Sequence, residues 1–480
     1  MVSFVWPSGW VEGVLALIHI AIAGTVTAHA LLRKYDSRAA LGWIALAWLS
    51  PGAGALLYFL FGINRVERRA VRIGRLERQR AIPPGATATP PVSSNIATLA
   101  QIGGRIADGP LLPGNTVELL RGGREAFPAM LAAIDGAKKS VALASYIFRN
   151  DDTGSAFTAA LIAAHKRGVA VRVLLDGIGS GYILPAPLRR MLAAGVPAER
   201  FLHTWVPWRM PFLNMRNHKK LLIVDGAHAF TGGLNIGSEY RLDPTCEKQK
   251  PGKVDDVHVR LEGPAVQQLM GTFARDWGFT TGEALDQSIW WPRLTEAGSV
   301  FARGIPSGPD ADLYKLEALL GAALAQARRR VRIVTPYFLP DQRLQFALVQ
   351  ARLRGVEVTI LIPGKCDFAF MDWAMRAHLQ FLRNANIAFH FSPPPFDHAK
   401  LMTVDGQWSL IGSSNWDVRS LRLNFEFDLE CYDADFTARL DALIDERLAR
   451  SHALDPESLL ARPKWMQLRD SAARLFLPYL

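Results

Sequence analysis

Cysteine is scarce in this 480-residue chain: there are three, Cys246, Cys366 and Cys431, and no two are spaced as C-x-x-C. Neither a disulfide framework nor a cysteine zinc site is supported, and reducing surroundings are the simplest fit. Charge is missing where a leader peptide would need it. Met1 to Glu12 holds no Lys or Arg, so a retained segment fits better than a secretory signal, which has a basic start. Disorder is excluded as well, because 49% of the residues are hydrophobic and 21% charged, and the 39 Gly and 29 Pro follow no collagen-like period. A folded protein with room for roughly three units of ~150 residues remains.

Two stretches lack charge altogether: the twenty residues from Gly13 to Leu32 and the twenty-four from Ala39 to Gly62. As a helix each can cross a hydrocarbon layer of ~30 Å at ~1.5 Å per residue. The expectation is an N-terminal two-helix transmembrane hairpin over residues 1–64. Two buried helices of a soluble protein are the alternative. His19 and His29 interrupt the first span, and Pro51-Gly52 is expected to break or kink the second. Trp6, Trp10 and Tyr58 lie near the span ends, where aromatic residues anchor at an interface. Arg65, Arg68, Arg69, Arg72, Arg75, Arg78 and Arg80 follow, opposed only by Glu67 and Glu77. By the positive-inside rule that end is cytoplasmic, a contrast weakened but not reversed by Arg33, Lys34 and Arg38 in the turn. Residues 1–80 hold ten basic and four acidic side chains, so much of the net charge of +11 lies beside the membrane, where it attracts anionic head groups. Residues 65–105 read as a basic, then Pro-rich linker, with Pro83-Pro84 and Pro90-Pro91 at its centre.

Beyond the linker, short apolar runs alternate with helical stretches, and the pattern occurs twice. Ser140 to Phe148 and Val331 to Phe338 are β-rich runs containing Tyr146 and Tyr337. A helical stretch then leads to the strand Gly168 to Leu175 in one case and Gly355 to Ile362 in the other, with Gly closing each helix. Alternation of this kind predicts an α/β fold, here in two similar halves, 106–300 and 301–450.

A third repeated element is chemically specific. His218-x-Lys220-x4-Asp225 is followed after six residues by Gly232-Gly233-x-Asn235, and His398-x-Lys400-x4-Asp405 after six by Gly412-Ser413-x-Asn415. Composition predicts about 0.1 chance copies of such a motif, so two with the same downstream spacing carry weight. Alternate residues of a strand share a face, so His218 and Lys220 project together, as do His398 and Lys400. If the halves pack about a pseudo-two-fold axis, two His, two Lys and two Asn converge on one oxyanion site. One neutral imidazole can attack phosphorus while the other, protonated, serves the leaving alkoxide. Lys and Asn stabilise the non-bridging oxygens, and no metal or other cofactor is required. Asp225 and Asp405 belong to the motif and are candidates for the catalytic set or for structural strand ends. Satisfied core histidines beside solvated lysines are the bland alternative, which the duplication disfavours.

The sequence resembles the phospholipase D superfamily and, more narrowly, the bacterial cardiolipin synthases of that type. The narrower likeness rests on Gly412-Ser413-Ser414-Asn415-Trp416-Asp417-Val418-Arg419-Ser420 with Leu423-Asn424-Phe425-Glu426, on Thr335-Pro336-Tyr337-Phe338, on His258 to Pro264, and on Tyr58-x-Leu60-Phe61-Gly62. Gly233, where the second motif has Ser413, is a small departure. The resemblance implies a duplicated phospholipase D fold, two pseudo-two-fold-related α/β/α halves with mixed sheets. It also implies transfer of a phosphatidyl group between two phosphatidylglycerol molecules, giving cardiolipin and glycerol. The implied partners are phosphatidylglycerol, other anionic phospholipids and the bacterial inner membrane, with a cytoplasmic catalytic domain. A carboxylate orienting each histidine is implied too: Glu426, 28 positions after His398, and in the first half Asp256, with Asp255 as the alternative. His218 is the commoner nucleophile in such enzymes.

Trp205, Trp208, Met210, Phe212 and the stretch Phe368 to Trp373 could line an acyl groove, although core packing accounts for at least half of them. Residues 451–480 read as an amphipathic tail. Competing readings are a hydrolytic phospholipase D, a nuclease drawn by the same positive charge, and a non-catalytic membrane scaffold. A nuclease leaves two spans unexplained, so no nucleic-acid partner is expected, and a scaffold would be expected to have lost motif residues. One chain completes the site, so an oligomer is not required.

Overall fold

The computed structural model describes residues 9–34, 37–50, 52–62, 88–107, 109–181, 184–203, 215–242 and 252–475. Two units divide the chain, residues 1–69 and 70–480. The arginine cluster from Arg65 to Arg80, Trp6, and the aromatic run Trp205 to Phe212 lie outside the described residues.

In the first unit, helix α1 (Gly9–Arg33) is a continuous apolar rod, and its segment Trp10–Arg33 is the one helix among the described residues long and apolar enough to cross a membrane. The second apolar stretch is not one helix. It forms α2 (Ser37–Leu49), α3 (Ala53–Leu57) and a π-helical turn Tyr58–Gly62. At 13 residues α2 is about 20 Å long, short of a ~30 Å core. Gly52 sits at φ +73°, outside helical space, and a Cβ on Gly54 would lie 2.1 Å from Leu46 O, so the chain turns sharply where only glycine fits. α1 packs on these pieces through Ala23, Val26, Ala30, Ala47 and Tyr58. The interruption falls at the expected Pro51-Gly52 position, and it leaves α2 too short to cross the core alone.

The second unit is built on a 15-stranded mixed sheet. In chain order the first strands of the unit are β1 (Leu112–Arg121), β2 (Ser140–Ser145), β3 (Ala170–Asp176), β4 (Ala198–Phe201), β5 (Leu221–Val224), β6 (His228–Gly232), a short β7 (Val254–Asp255) and β8 (Val257–Glu262). After these come β9 (Val300–Ser307), β10 (Arg330–Val334), β11 (Phe338–Leu339), β12 (Glu357–Pro363), β13 (Ala388–Ser392), β14 (Phe396–Asp397), β15 (Leu401–Val404), β16 (Trp408–Gly412), β17 (Trp416–Asp417), β18 (Glu426–Tyr432) and β19 (His452–Ala453). Two further two-stranded sheets pair β7 with β14 and β11 with β17. β2 pairs parallel with β3 and antiparallel with β5, then β5–β6, β6–β8 and β8–β1 follow antiparallel. The same series recurs as β10 with β12 and β15, then β15–β16, β16–β18 and β18–β9. β1 and β9 join the two series antiparallel, so the order reads alike outward from that seam.

Apolar strands buried on both faces, such as LLIV of β5 and LMTV of β15, fill the centre beneath helices. Separate hydrophobic clusters form around Phe157, Leu161 and Phe230 in the first series and around Leu320, Phe338 and Trp408 in the second. Helix Ser94–Ile106 buries Asn95, Ile96 and Leu99, so the last part of the expected linker belongs to this unit. The C-terminal helix Lys464–Leu475 docks on helix Ala369–Leu382, with Arg469 over the Trp373 ring at 4.3 Å, yet leaves Trp465, Leu468 and Leu475 exposed.

Candidate active site

His218 and His398 lie in extended segments just before β5 and β15, not within the strands. Each segment is tied to the other series. Asn217 bridges to Phe425, and the His218 amide donates to Phe425 O at 2.8 Å; β14 pairs parallel with β7, and the His398 amide donates to Asp255 O at 2.7 Å. The orienting carboxylates are therefore exchanged. His218 Nδ1 bonds Glu426 Oε2 at 2.8 Å, and His398 Nδ1 bonds Asp256 Oδ2 at 2.7 Å. Both carboxylates expected from sequence reach a histidine, but each serves the histidine of the other motif. Asp255 instead pairs with Arg447 at 3.0 Å, and Arg447 also holds Asp397 at 2.9 Å.

The departure at Gly233 has a steric reason. A Cβ there would lie 2.1 Å from Asp256 Oδ1, whereas Ser413 Oγ donates to Glu426 Oε2 at 2.6 Å. Lys220 Nζ donates to His218 O at 2.5 Å; Lys400 Nζ donates to His398 O and lies 2.6 Å from His398 Nδ1. The intervening Lys219 points elsewhere and is locked to Asp276 at 2.8 Å.

Burial sets the protonation states. It lowers His218 well below the usual histidine range, helped by Lys220 and Lys400, and with Lys400 it lowers His398 to about 4. Both imidazoles are thus neutral in the empty site. Burial also brings Lys220 down to about 7 and Glu426 up to about 7, which places this pair at the boundary between ionic and neutral forms. Burial alone would raise Asp256, but Lys400 and His398 hold it below the usual carboxylate range.

Asp225 and Asp405 do not join the cluster, which corrects their place in the expected catalytic set. Each stands past the far end of its strand, about 20 Å from its histidine at ~3.3 Å per residue. Asp225 accepts the backbone N–H groups of Lys138, Lys139 and Ser140. Asp405 accepts those of Arg328, Arg329 and Arg330, and Asn95 Nδ2 at 3.0 Å. Both adopt positive φ, 53° and 54°, and anchor the turns that lead into β2 and β10. Asn235 reaches the cavity, but its amide donates to Tyr240 Oη at 2.7 Å and accepts from Ile147 N at 3.2 Å. Asn415 is buried and its side chain bonds Asp417.

A cavity of about 1350 Å³ opens over both histidines. Phe370, Met371, Phe391 and Phe396 form an apolar wall, while Phe368 stands exposed at its margin. Tyr146, which packs edge-on to His218 at 4.8 Å between centroids, Arg216 and Arg419 also line it. Tyr146 falls in the repeated β run, whereas the two arginines leave no signal in the sequence: Arg216 adjoins the motif and Arg419 lies inside the quoted signature, but a lone arginine beside a motif gives no pattern of its own.

Crossed histidine–carboxylate pairs thus face one cavity above a mixed sheet. Residues 130–277 and 320–448 match the family described as cardiolipin synthase, PLD-like domain, and the chain belongs to that family. It is 32% identical over 465 residues to the major cardiolipin synthase of Bacillus subtilis, covering 93% of this chain and 95% of that one. It is 30% identical over 487 residues to the cardiolipin synthase of Geobacillus kaustophilus, covering 98% and 95%. The phosphatidylserine synthase of Haemophilus influenzae Rd KW20 shares the fold, with a TM-score of 0.56 and 15% identity over 76% of this chain and 95% of that one.

Proposed function

We propose that this protein is a cardiolipin synthase that moves a phosphatidyl group from one phosphatidylglycerol to a second through a phosphohistidine. The observation that carries the reading is the pair of crossed histidine–carboxylate contacts facing one cavity. Neutral His218, held through Nδ1 by Glu426, presents Nε2 to phosphorus. As the P–N bond forms and the P–O bond to glycerol breaks, the His398 imidazolium gives its proton to the departing alkoxide. The second phosphatidylglycerol then gives a hydroxyl proton to His398, its oxygen attacks phosphorus, the P–N bond breaks, and cardiolipin leaves with His398 again protonated. A bound phosphodiester anion counters the burial and the Lys400 charge that together hold His398 neutral before substrate binds, and Lys220 and Lys400 steady the non-bridging oxygens.

The recurring strand series is read as two homologous halves about a pseudo-two-fold axis. The lead unit is read as a membrane hairpin in which α1 crosses as one helix and the bent run of α2, α3 and the Tyr58–Gly62 turn returns, with the catalytic unit cytoplasmic at the inner membrane. The matching of two separate segments supports the two halves, and the length and apolarity of α1 support the membrane reading. The test is mass spectrometry after incubating detergent-solubilised protein with phosphatidylglycerol alone. Cardiolipin and glycerol in equal amounts are expected, absent with His218→Ala and with His398→Ala. Phosphatidic acid in place of cardiolipin, or normal turnover by either variant, would overturn the proposal.

A further inference from the structure

The two ends of the cavity differ in charge although the strand series match. Tyr146 and Tyr337 each follow the first strand of a series, β2 and β10, and both line the cavity. Tyr337 Oη donates to the Asp367 carboxylate, whereas Tyr146 Oη takes a hydrogen bond from the Arg216 guanidinium, with Arg419 close by. The His218 end thus carries two guanidinium groups in addition to Lys220, and the His398 end carries an exposed carboxylate. Asp176 and Asp417 lie within electrostatic reach of this arginine pair and also accept backbone N–H groups. Asp176 accepts from Ile178, Gly179 and Asn217 N–H, and Asp417 from Ser420 N–H.

Both arginines are held by the elements that hold His218. Arg216 O accepts from Phe425 N at 2.8 Å, one step from the His218–Phe425 bond. Arg419 sits in the short helix Val418–Arg422, which links β17 to the strand that carries Glu426. Arg216 and Arg419 are close enough to act on each other electrostatically, both line the cavity, and a planar guanidinium fork suits a phosphate. One phosphodiester on the histidines is already met by Lys220 and Lys400.

We infer that Arg216 and Arg419 form a second phosphate subsite, which holds the phosphodiester of the acceptor lipid while its terminal hydroxyl reaches phosphorus. The inference rests on the reading above, in which the acceptor is itself a phosphatidylglycerol. Such an acceptor carries its own phosphate one glycerol away from the attacking oxygen, and cardiolipin keeps that spacing. Water and free glycerol have no second phosphate. The arginine pair therefore selects a lipid acceptor over water, and sets the partition between synthesis and hydrolysis.

The test uses the full-length protein with radiolabelled phosphatidylglycerol and two soluble acceptors, glycerol and glycerophosphoglycerol, the latter being the acceptor head group with its phosphodiester. In the wild type glycerophosphoglycerol is expected to be used at least tenfold better than glycerol by kcat/KM; equal use would overturn the subsite whatever the variants do. Arg216→Gln and Arg419→Gln are each expected to lower the ratio of cardiolipin formation to glycerol exchange at least tenfold, chiefly through the acceptor KM, and to raise phosphatidic acid as a share of product. Arg419→Lys should recover part of that ratio. A parallel fall of both reactions at unchanged ratio would mean that the arginines only support the fold, against the inference. Should the wild type exchange glycerol but make no cardiolipin, the synthase reading fails on its own, and the comparison of the two soluble acceptors still decides the subsite.

Discussion

Asp405 gives the sharpest separation of structure from chemistry. Its carboxylate accepts three backbone N–H groups and Asn95 Nδ2 within 3.0 Å, it is 6% exposed, and it sits at φ +54°. Asp405→Ala removes the acceptor and leaves alanine in a left-handed conformation at a cost of about 1–2 kcal/mol. Hydrogen bonds to a charged group are worth about 1.5–3 kcal/mol each, but the Arg328–Arg330 amides can partly turn to water. A total near 4 kcal/mol follows. Asp405→Asn keeps one acceptor oxygen and tolerates positive φ, so about 1–2 kcal/mol is expected. One kcal/mol moves Tm by about 2–4 °C in 150–250 residues, and by about half that in a unit of this size. Alanine should therefore lower Tm by roughly 4–8 °C and asparagine by roughly 1–4 °C. Cardiolipin formation per folded molecule, assayed well below either Tm, should stay within about threefold of wild type. Unchanged Tm with a thousandfold loss of transfer in Asp405→Asn would refute the structural role and return this residue to the chemistry.

Exchange of the carboxylates can be tested directly. Glu426→Gln and Asp256→Asn should each lower kcat/KM by about 10- to 100-fold, the range set by losing a hydrogen bond to a charged group. Labelling with diethyl pyrocarbonate followed by peptide mapping should change at His218 in the first variant and at His398 in the second; the reverse pattern would refute the crossing. The pH profile follows from Lys220 and Glu426, both near 7. Lysine loses its charge as pH rises through 7 and glutamate gains a proton as pH falls through it, so kcat/KM should peak close to pH 7. Lys220→Arg should remove the alkaline limb alone, and a flat profile from pH 6 to 8.5 in the wild type would count against both assignments.

Much of this site was legible in the sequence because it is written twice. Equal spacing in two copies located His218, Lys220, His398 and Lys400, and the runs before them located β2, β3, β10 and β12 to within a few residues. Pairing across the seam left no trace in spacing. Glu426 follows His398 by 28 positions yet bonds His218, 208 positions away, because the β7–β14 and Asn217–Phe425 bridges swap the partners. The motif aspartates were ambiguous for another reason. A strand of unknown length separates them from the histidines, and only the extended rise of β5 and β15 carries them out of reach. Arg216 and Arg419 form no repeat, since the equivalent end of the second series uses Asp367. The break in the second apolar run was legible at Pro51-Gly52, whereas the part played by Gly54 was not, because hydropathy counts composition and Gly54 acts on backbone geometry.

The 208-residue separation between His218 and its carboxylate also governs when the protein becomes active. A ribosome adding about 5–20 residues per second needs roughly 10–40 s to move from one to the other. During that interval the apolar lead helix has long since emerged, while His218 still lacks the carboxylate it bonds. The nascent chain can therefore reach a lipid surface before it is able to cleave the lipids it meets there.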